Sequence, residues 1–327
     1  MRDKHRLLKL LNTKQLRIGV LYGGFSSERP ISLKSGKAVA AGLRSLGYPV
    51  KLIDIKSPGP APRSGMLTYR ILAGLKTCDA AFIALHGKFG EDGQLQKLLD
   101  KHHIPYTGSG SRASLNAMDK FATKRLFAKH RIPSAPFKQL RISDHGFPVK
   151  ACEALWKWKK LVVKPRSEGS SVGVSISCNA DELYDALKLA SRYGRDILLE
   201  QYISGREVTV GILGNKPLPV IEMKPYKDFF SYKAKYKDDK TQYIVNPDFP
   251  KAIIRRIQRT GLKAYQALGC KGFSRVDLIY SAKDKKAYVL EVNSIPGMTE
   301  RSLVPKAARA IGIGFPQLCK KIIELSL

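Results

Sequence analysis

Residues 272–305 contain two apolar runs, 273–280 and 287–292, separated by a polar, lysine-rich stretch over 281–286. Runs of that length with such punctuation predict a β-hairpin. Each run carries one acid: Asp277 in the first, with Arg275 two residues before it, and Glu291 in the second, with Asn293 two residues after it. Side chains alternate faces along a strand. Arg275 and Asp277 therefore share one face, and Glu291 and Asn293 share one on the returning strand. A turn centred near Lys283 sets Arg275 opposite Val292 and Asp277 opposite Leu290, within the offset of a neighbouring pair. A bare carboxylate inside an apolar strand is costly, and two at such positions ask for a cation. Oxygen ligands of this kind suit Mg²⁺ or Mn²⁺. A salt bridge from Arg275 to the acids on an exposed face is the simpler alternative. The stretch then runs through a polar Pro/Gly turn, as where backbone must approach a ligand closely.

The start of the chain sets the fold class. Residues 16–22 read as a buried strand, 23–32 as a glycine turn, 33–46 as a helix and 50–55 as a second strand. That order predicts an α/β unit with a parallel sheet. The turn lies at the carboxyl end of the first strand, where such sheets bind ligands. It is not a G-x-G-x-x-G fingerprint, so no dinucleotide is implied. A third strand over 79–85 leads into the glycine-rich loop 86–93 and a helix over 94–103. A helix is expected over 114–130, on which Lys120 reads as a solvated face lysine. Strands at 161–164 and 174–177 flank a small-residue loop, 165–173, whose N–H donors can fold over phosphates with Lys164 at its base. A helix over 181–191, strands at 197–203 and 208–213, and helices over 251–268 and 317–327 follow. Residues 222–250 are dense in Tyr, Phe, Lys and Asp without regular periodicity. A segment of that kind in a compact protein reads as a lid.

Composition limits the function classes. The chain has 327 residues, with 58 Lys and Arg against 27 Asp and Glu, a formal net charge of +31. Such an excess raises a nucleic-acid hypothesis. The cations are spread over the whole length, however, and no nucleic-acid motif accompanies them, so no specific nucleic-acid partner is expected. The five cysteines have no paired spacing, which points to a reducing compartment and against disulfides or a zinc site. No apolar run approaches a membrane span. The basic first 15 residues lack a signal-peptide core and read as an amphipathic lead-in helix or a frayed tail.

In order along the chain, the segments GGFSSERPISLKSG, FIALHGKFGEDGQLQ, PYTGSG, MDKFATK, VVKPRSEGSSVGVS, EVTVGIL, AKYKDDKTQY, LGCKGFSRVDLIY and EVNSIPGMTERSLVP resemble the ATP-grasp superfamily, and within it the D-alanine–D-alanine ligases. The resemblance covers the chain from about residue 16 onward. It implies an α/β (α+β) fold of three domains: 16–109 with the parallel sheet and the first substrate, a central 110–203, and a catalytic 204–327, after a basic extension over 1–15. The implied reaction joins two D-alanines with ATP through an acyl phosphate, for peptidoglycan precursors, in a cytoplasmic homodimer.

The resemblance also implies roles. Lys120, Lys164 and Lys235 contact the nucleotide, and the loop carrying Ser170 and Ser171 closes over its phosphates. Adenine sits at the edge formed by Glu200, Gln201, Tyr202 and Ile203, and Glu207 takes the ribose. Asp277, Glu291 and Asn293 hold two Mg²⁺ or Mn²⁺ ions. Glu28 holds the ammonium of the first D-alanine, linked to Ser170 and Tyr236, with His86 nearby. Gly297, Ser302 and Leu303 take the second amino acid, and Arg275 stabilises developing charge. Tyr236 resembles the type that favours an amine over a hydroxyl nucleophile. Pro30, Lys240 and Ser294 depart from the family pattern. Two other readings stay open from the sequence: a related carboxylate–amine or D-alanyl-D-lactate-type ligase, and a basic nucleic-acid-binding protein on an inactive grasp fold.

Overall fold

β1 (Ile18–Gly23) is a run of apolar and small residues buried along almost its whole length, as the middle strand of a parallel sheet must be. It pairs in parallel with β2 (Val50–Ile55) and β3 (Ala80–Ile83), giving the order β2–β1–β3. The structure is a computed structural model that describes residues 2–56, 65–143, 149–224 and 241–327. Helix α2 (Arg29–Ser45) begins four residues before the expected start at Leu33. The reason is Pro30, which falls in the first turn, where its missing N–H has no intrahelical role and its fixed φ is already helical. Gly36 lets α2 lie close on β1, since a Cβ there would stand 2.3 Å from Tyr22. The N-terminal stretch forms α1 (Arg2–Asn12), whose Leu7 and Leu11 join the same apolar core as Leu43. Helices α3 (Met66–Leu75) and α4 (Gln94–Lys101) complete this part.

The single helix expected over 114–130 is two, α5 (Ser111–Met118) and α6 (Lys120–Lys129). Asp119 separates them. Its backbone is extended (φ −82°, ψ 101°), and its carboxylate accepts from the N–H groups of Phe121 and Ala122. That is an N-cap, which satisfies donors a helix start leaves open. Lys120 is therefore the first residue of a helix, not a face lysine in mid-helix.

A second, antiparallel sheet follows in the order β4–β7–β5–β6, built from β4 (Phe137–Arg141), β5 (Leu161–Pro165), β6 (Ser175–Ser177) and β7 (Asp196–Gln201). Helices α7 (Val149–Trp158) and α8 (Ala180–Ser191) cover it, with Ala154, Leu183 and Leu187 against Leu161, Val163 and Leu199. The third sheet has the order β10–β9–β8–β11–β12, antiparallel throughout: β8 (Arg206–Leu213), β9 (Lys216–Lys224), β10 (Gln242–Val245), β11 (Phe273–Ser281) and β12 (Lys286–Asn293). Helix α9 (Lys251–Ala267) packs on it through Ile257, Ala264 and Tyr265. Helices α10 (Leu303–Arg309) and α11 (Phe315–Ser326) share the core that α1 and α2 enter.

The segment expected to be irregular from 222 onward is partly strand. β9 is an element the sequence hid behind Pro217 and Pro219. Both prolines lie outside the stretch that β10 pairs, which begins at Ile221, and beside a register shift against β8. A proline is tolerated where no partner needs its N–H. Tyr243, expected in the lid, belongs to β10. The rest of the expected lid, with Lys235, Tyr236 and Lys240, lies outside the described residues. Among the described residues no helix is long and apolar enough to cross a membrane.

Asp119 also receives a fork from Arg166, at 3.0 and 2.6 Å, so one carboxylate holds both a helix start and the base of the 165–173 loop. Asp119→Ala is expected to cost at least the ~1–2 kcal/mol of a lost cap. A urea titration reads this, and an unchanged midpoint contradicts the double role.

Candidate active site

The β11–β12 hairpin forms where it was expected, but its register changes along its length. From Ser281↔Lys286 to Leu278↔Val289 the pairing is the regular one, which would set Asp277 against Leu290. An irregularity then leaves Leu290 as an extra residue, so that Asp277 pairs with Glu291 and Arg275 with Asn293. A bulge of this kind is a common way to re-aim side chains beside an active site. The expected register is thus off by one at the functional end, and the shift places the two carboxylates directly across from each other.

Asp277 is buried and fully engaged. Arg275 donates to it twice, at 2.9 and 2.8 Å, Thr209 once at 2.6 Å, and Asn293 Nδ2 once at 3.2 Å. The Arg275–Asp277 ion pair weighed from the sequence is present, yet it is inside the protein and not on an exposed face. Glu291 and Asn293 line two cavities that meet at them.

The first cavity is narrow, about 40 Å³, and lies between the second and third sheets. Lys120, Lys124, Lys164, Glu200 and Glu291 line it. Glu200 sits at the centre of a buried ion cluster, with Lys124 Nζ and Lys164 Nζ each 2.5 Å from one of its oxygens. Burial pushes the Glu200 carboxyl up, but the two lysines outweigh it and bring it down to about 2. Burial lowers Lys124, and Glu200 only partly opposes this. Lys164 moves the other way: burial would lower it, but Glu200, Glu291 and Glu207 hold it above the usual lysine range. Lys120 is lowered, by burial and by Lys164, against the pull of Glu291 and Glu200. Its Nζ donates to the Glu168 carbonyl at 2.5 Å, which ties α6 to the 165–173 loop. Gln201, Tyr202 and Ile203 continue past Glu200 and line neither cavity, and the Tyr202 ring takes Lys160 Nζ at 4.0 Å from its centre.

The second cavity is larger, about 480 Å³. It brings together Glu28, His86, Ser170, Arg275, Gly297, Ser302 and Leu303, residues far apart in sequence. Ser170 reaches it because the loop tip folds across to the first sheet. Ser170 and Ser171 both take positive φ, 52° and 58°, and the Ser170 hydroxyl donates to Glu28. Burial, with the Glu91 and Glu291 carboxylates adding to it, pushes the Glu28 carboxyl up to about 7, against the Ser170 hydrogen bond and His86. His86 is fixed at both ring nitrogens: Nδ1 donates to the Ile295 carbonyl at 3.0 Å, and Nε2 accepts from Ser35 Oγ at 2.9 Å. That Nδ1 contact sets the tautomer, because a carbonyl can only accept. At the opposite wall Ser302 Oγ accepts from the Thr299 N–H at 3.1 Å. A Cβ on Gly297 would lie 2.9 Å from that oxygen, so the close turn needs glycine.

Several lining residues escaped the sequence reading. Lys124 carried a signal, since it follows Lys120 by one helical turn and shares its face. Glu91, in the 86–93 loop, lines both cavities, and Lys34, Arg301 and Lys306 give the second a cationic rim suited to carboxylates. Ser171, Glu207 and Asp277 stand behind the linings. Lys235 and Tyr236 lie outside the described residues.

Glu291 and Asn293 line the cavities and offer oxygens of the kind a hard cation takes, whereas both Asp277 oxygens are engaged by Arg275, Thr209 and Asn293 Nδ2, so Asp277 would join them only by giving up part of that set. Among the described residues no group of three or more His, Cys, Asp or Glu side chains is gathered. An ion here would therefore complete its shell with phosphate oxygens and water, as Mg²⁺ commonly does.

Comparison with known proteins gives concordant results. A family model described as D-ala D-ala ligase C-terminus matches residues 126–324, and one described as D-ala D-ala ligase N-terminus matches 61–109. The chain is 44% identical over 311 residues to the D-alanine–D-alanine ligase of Geotalea uraniireducens, covering 95% of each. It is 43% identical over 311 residues to that of Geobacter sulfurreducens, covering 95% of this chain and 94% of that one. The crystal structure of the Bacillus anthracis D-alanine–D-alanine ligase superposes with a TM-score of 0.82 at 36% identity, covering 95% and 97% of the two chains. The same enzyme complexed with ATP gives 0.81 at 34% identity, with the same coverage.

The buried cluster generates a prediction. Lys124→Met leaves Glu200 with one of its two cations and is expected to destabilise the protein by about 3 kcal/mol. Lys124→Met combined with Glu200→Gln is expected to recover part of that loss in a double-mutant cycle read by urea denaturation. Strictly additive losses contradict the pairing.

Proposed function

The chain belongs to the D-alanine–D-alanine ligase family, and on that premise we propose that it joins two D-alanines into D-alanyl-D-alanine, converting ATP to ADP and phosphate. The observation that carries the reading is the junction of the two cavities at Glu291 and Asn293, one walled by buried lysines and the other by a carboxylate and cations. A triphosphate suits the first and amino acids suit the second. The α/β three-sheet architecture is that of an ATP-grasp enzyme, and we place its domains at 16–109, 110–203 and 204–327 after the extension over 1–15.

The roles follow from the chemistry each wall offers. The ammonium of the first D-alanine pairs with Glu28, whose carboxyl yields its proton as the cation arrives. Ser170 and Tyr236 complete the link to it, and His86 braces the wall. A carboxylate oxygen of that D-alanine attacks the terminal phosphorus of ATP, the bond to ADP breaks, and an acyl phosphate forms. Lys120, Lys164 and Lys235 hold phosphates, under the loop carrying Ser170 and Ser171. Adenine is placed at the edge of Glu200, Gln201, Tyr202 and Ile203, and ribose at Glu207. Mg²⁺ or Mn²⁺, held by Asp277, Glu291 and Asn293, would supply charge neutralisation at the transferring phosphoryl group.

The second D-alanine binds by its carboxylate at Ser302 and Leu303, and its neutral amine attacks the acyl carbon. Arg275 and the Gly297 N–H face the oxyanion that develops there. The carbon–oxygen bond then breaks, and phosphate departs with the proton that the attacking nitrogen gives up. The product serves peptidoglycan precursor synthesis. We place the enzyme in the cytoplasm as a homodimer; all five cysteines are unpaired, which suits a reducing compartment.

Two measurements test this reading. Glu28 must be ionised to hold an ammonium group. As pH falls below about 7 its protonated form takes over, so kcat/KM for D-alanine is expected to fall about tenfold per pH unit. A profile flat to pH ~5 contradicts the role of Glu28. Glu291→Ala is expected to lower turnover on the order of 10²–10³-fold while keeping the wild-type circular dichroism spectrum. Wild-type turnover in that variant would remove Glu291 from the site.

A further inference from the structure

A second concavity of about 550 Å³ lies at the other end of the β11–β12 hairpin, at its turn. Three separate segments line it: the loop after α6 with Arg131, Ile132 and Pro133, one face of α9 from Arg256 to Lys263, and the hairpin turn with Lys285 and Lys286. The floor is apolar or small, with Ile132, Thr260 and Ala287 buried or nearly so. The walls are cationic. Arg131, Arg256, Arg259, Lys263, Lys285 and Lys286 surround it, six cations against the single carboxylate of Asp284. The chain as a whole carries 58 basic and 27 acidic residues, so its background bias falls well short of this local ratio.

The one carboxylate does not neutralise the group. Asp284 accepts from Ser281 Oγ at 3.1 Å and from the Tyr288 hydroxyl at 3.1 Å, both on its own hairpin. None of the six cations has an ion-pair partner among the described residues. On α9, Arg256, Arg259 and Lys263 are spaced to share one face. Arg256 NH1 donates to the Lys285 carbonyl, which fastens α9 to the turn and fixes one side of the mouth. The Val289 N–H donates to the Pro133 carbonyl at 2.9 Å, fastening the Arg131 loop to β12 on the other side. Arg131 and Lys285 hold positive φ, 53° and 51°, a region that favours glycine. The hollow is therefore built from tied segments, and its six cations outnumber its one carboxylate.

We propose that this concavity is a binding site for a small anion carrying two or more phosphates, separate from the two cavities of the active site. Three guanidinium groups offer the planar forks that match phosphate oxygens, and three ammonium groups add point charge. The volume is in the range of small-ligand pockets. No aromatic ring lines it, so it lacks the stacking platform that binding of single-stranded nucleic acid uses. Planar forks and point charges around a hollow of this size fit a short polyphosphate chain. The site lies at the turn and the start of β12, on the same hairpin that carries Arg275, Asp277, Glu291 and Asn293 at its other end.

The test uses inorganic tripolyphosphate, without magnesium, titrated by calorimetry into the full chain at ~0.15 M salt. The wild type is compared with the exposed-residue variant Arg256→Ser/Arg259→Ser/Lys263→Ser, whose fold is checked by circular dichroism and whose ligation activity is expected to be unchanged. The expected result is a binding event weakened about tenfold or more in the variant. Equal affinity in the two proteins overturns the proposal and places the tripolyphosphate in the active-site cavities. A 20-base-pair duplex bound more tightly than tripolyphosphate, and released by the same substitutions, also overturns it and assigns the surface to nucleic acid.

Discussion

One extra residue in one strand decides which side chains meet at the chemical end of this protein. Without the irregularity at Leu290, Asp277 would pair with an apolar side chain and Glu291 would fall out of line with it. With it, a carboxylate faces a carboxylate and a guanidinium faces an amide. Two acids side by side in a sheet repel unless cations answer them. The cations are present: Arg275 forks onto Asp277, and Lys120 and Lys164 both feel Glu291 from across the first cavity. The hairpin is therefore not stable as an isolated arrangement of charge. Lys164 of the second sheet and Lys120 at the start of α6 supply positive charge on the Glu291 side.

The same logic runs through Glu200. A carboxylate at 2% exposure is tolerated because two lysines from different elements converge on it. Replacing such a cluster with apolar side chains is often no loss in stability, so its retention points to positioning. Lys164 is held charged and in place by Glu200. At Glu28 the balance is opposite. Burial and two neighbouring carboxylates raise it to about 7, against weaker help from Ser170 and His86. Glu28 is thus short of a cation, which the ammonium group of the first D-alanine would bring in the proposed reaction.

Much of this was legible in the residues, and the failures have physical causes. The hairpin, the parallel unit at 18–55 and the strand–loop–strand around 165–173 follow from apolar periodicity and glycine punctuation, and all three appear. Pairing by symmetric counting from the turn was correct as far as Leu278↔Val289. A bulge adds a residue without changing the composition of the strand, so counting could not find it. Lys120 looked like a surface lysine because Asp119, inside an otherwise helical pattern, was not read as the N-cap of a new helix. Lys124 was passed over because a lysine reads as exposed until its carboxylate partner is known. β9 was hidden by two prolines that matter only where a neighbouring strand needs their N–H groups. The misses at Lys124, β9 and the bulge concern partners distant in sequence, which periodicity does not report.

The central claim is that the two cavities meet so that a carboxylate oxygen of one D-alanine takes the terminal phosphoryl group of ATP before the peptide bond forms. Heavy-oxygen-labelled D-alanine tests it directly. With ATP and both substrate positions filled by carboxylate-labelled D-alanine, mass spectrometry of the released phosphate should find one labelled oxygen for each dipeptide made. Phosphate released without label, alongside dipeptide, would show that the carboxylate never attacked phosphorus and would contradict the account.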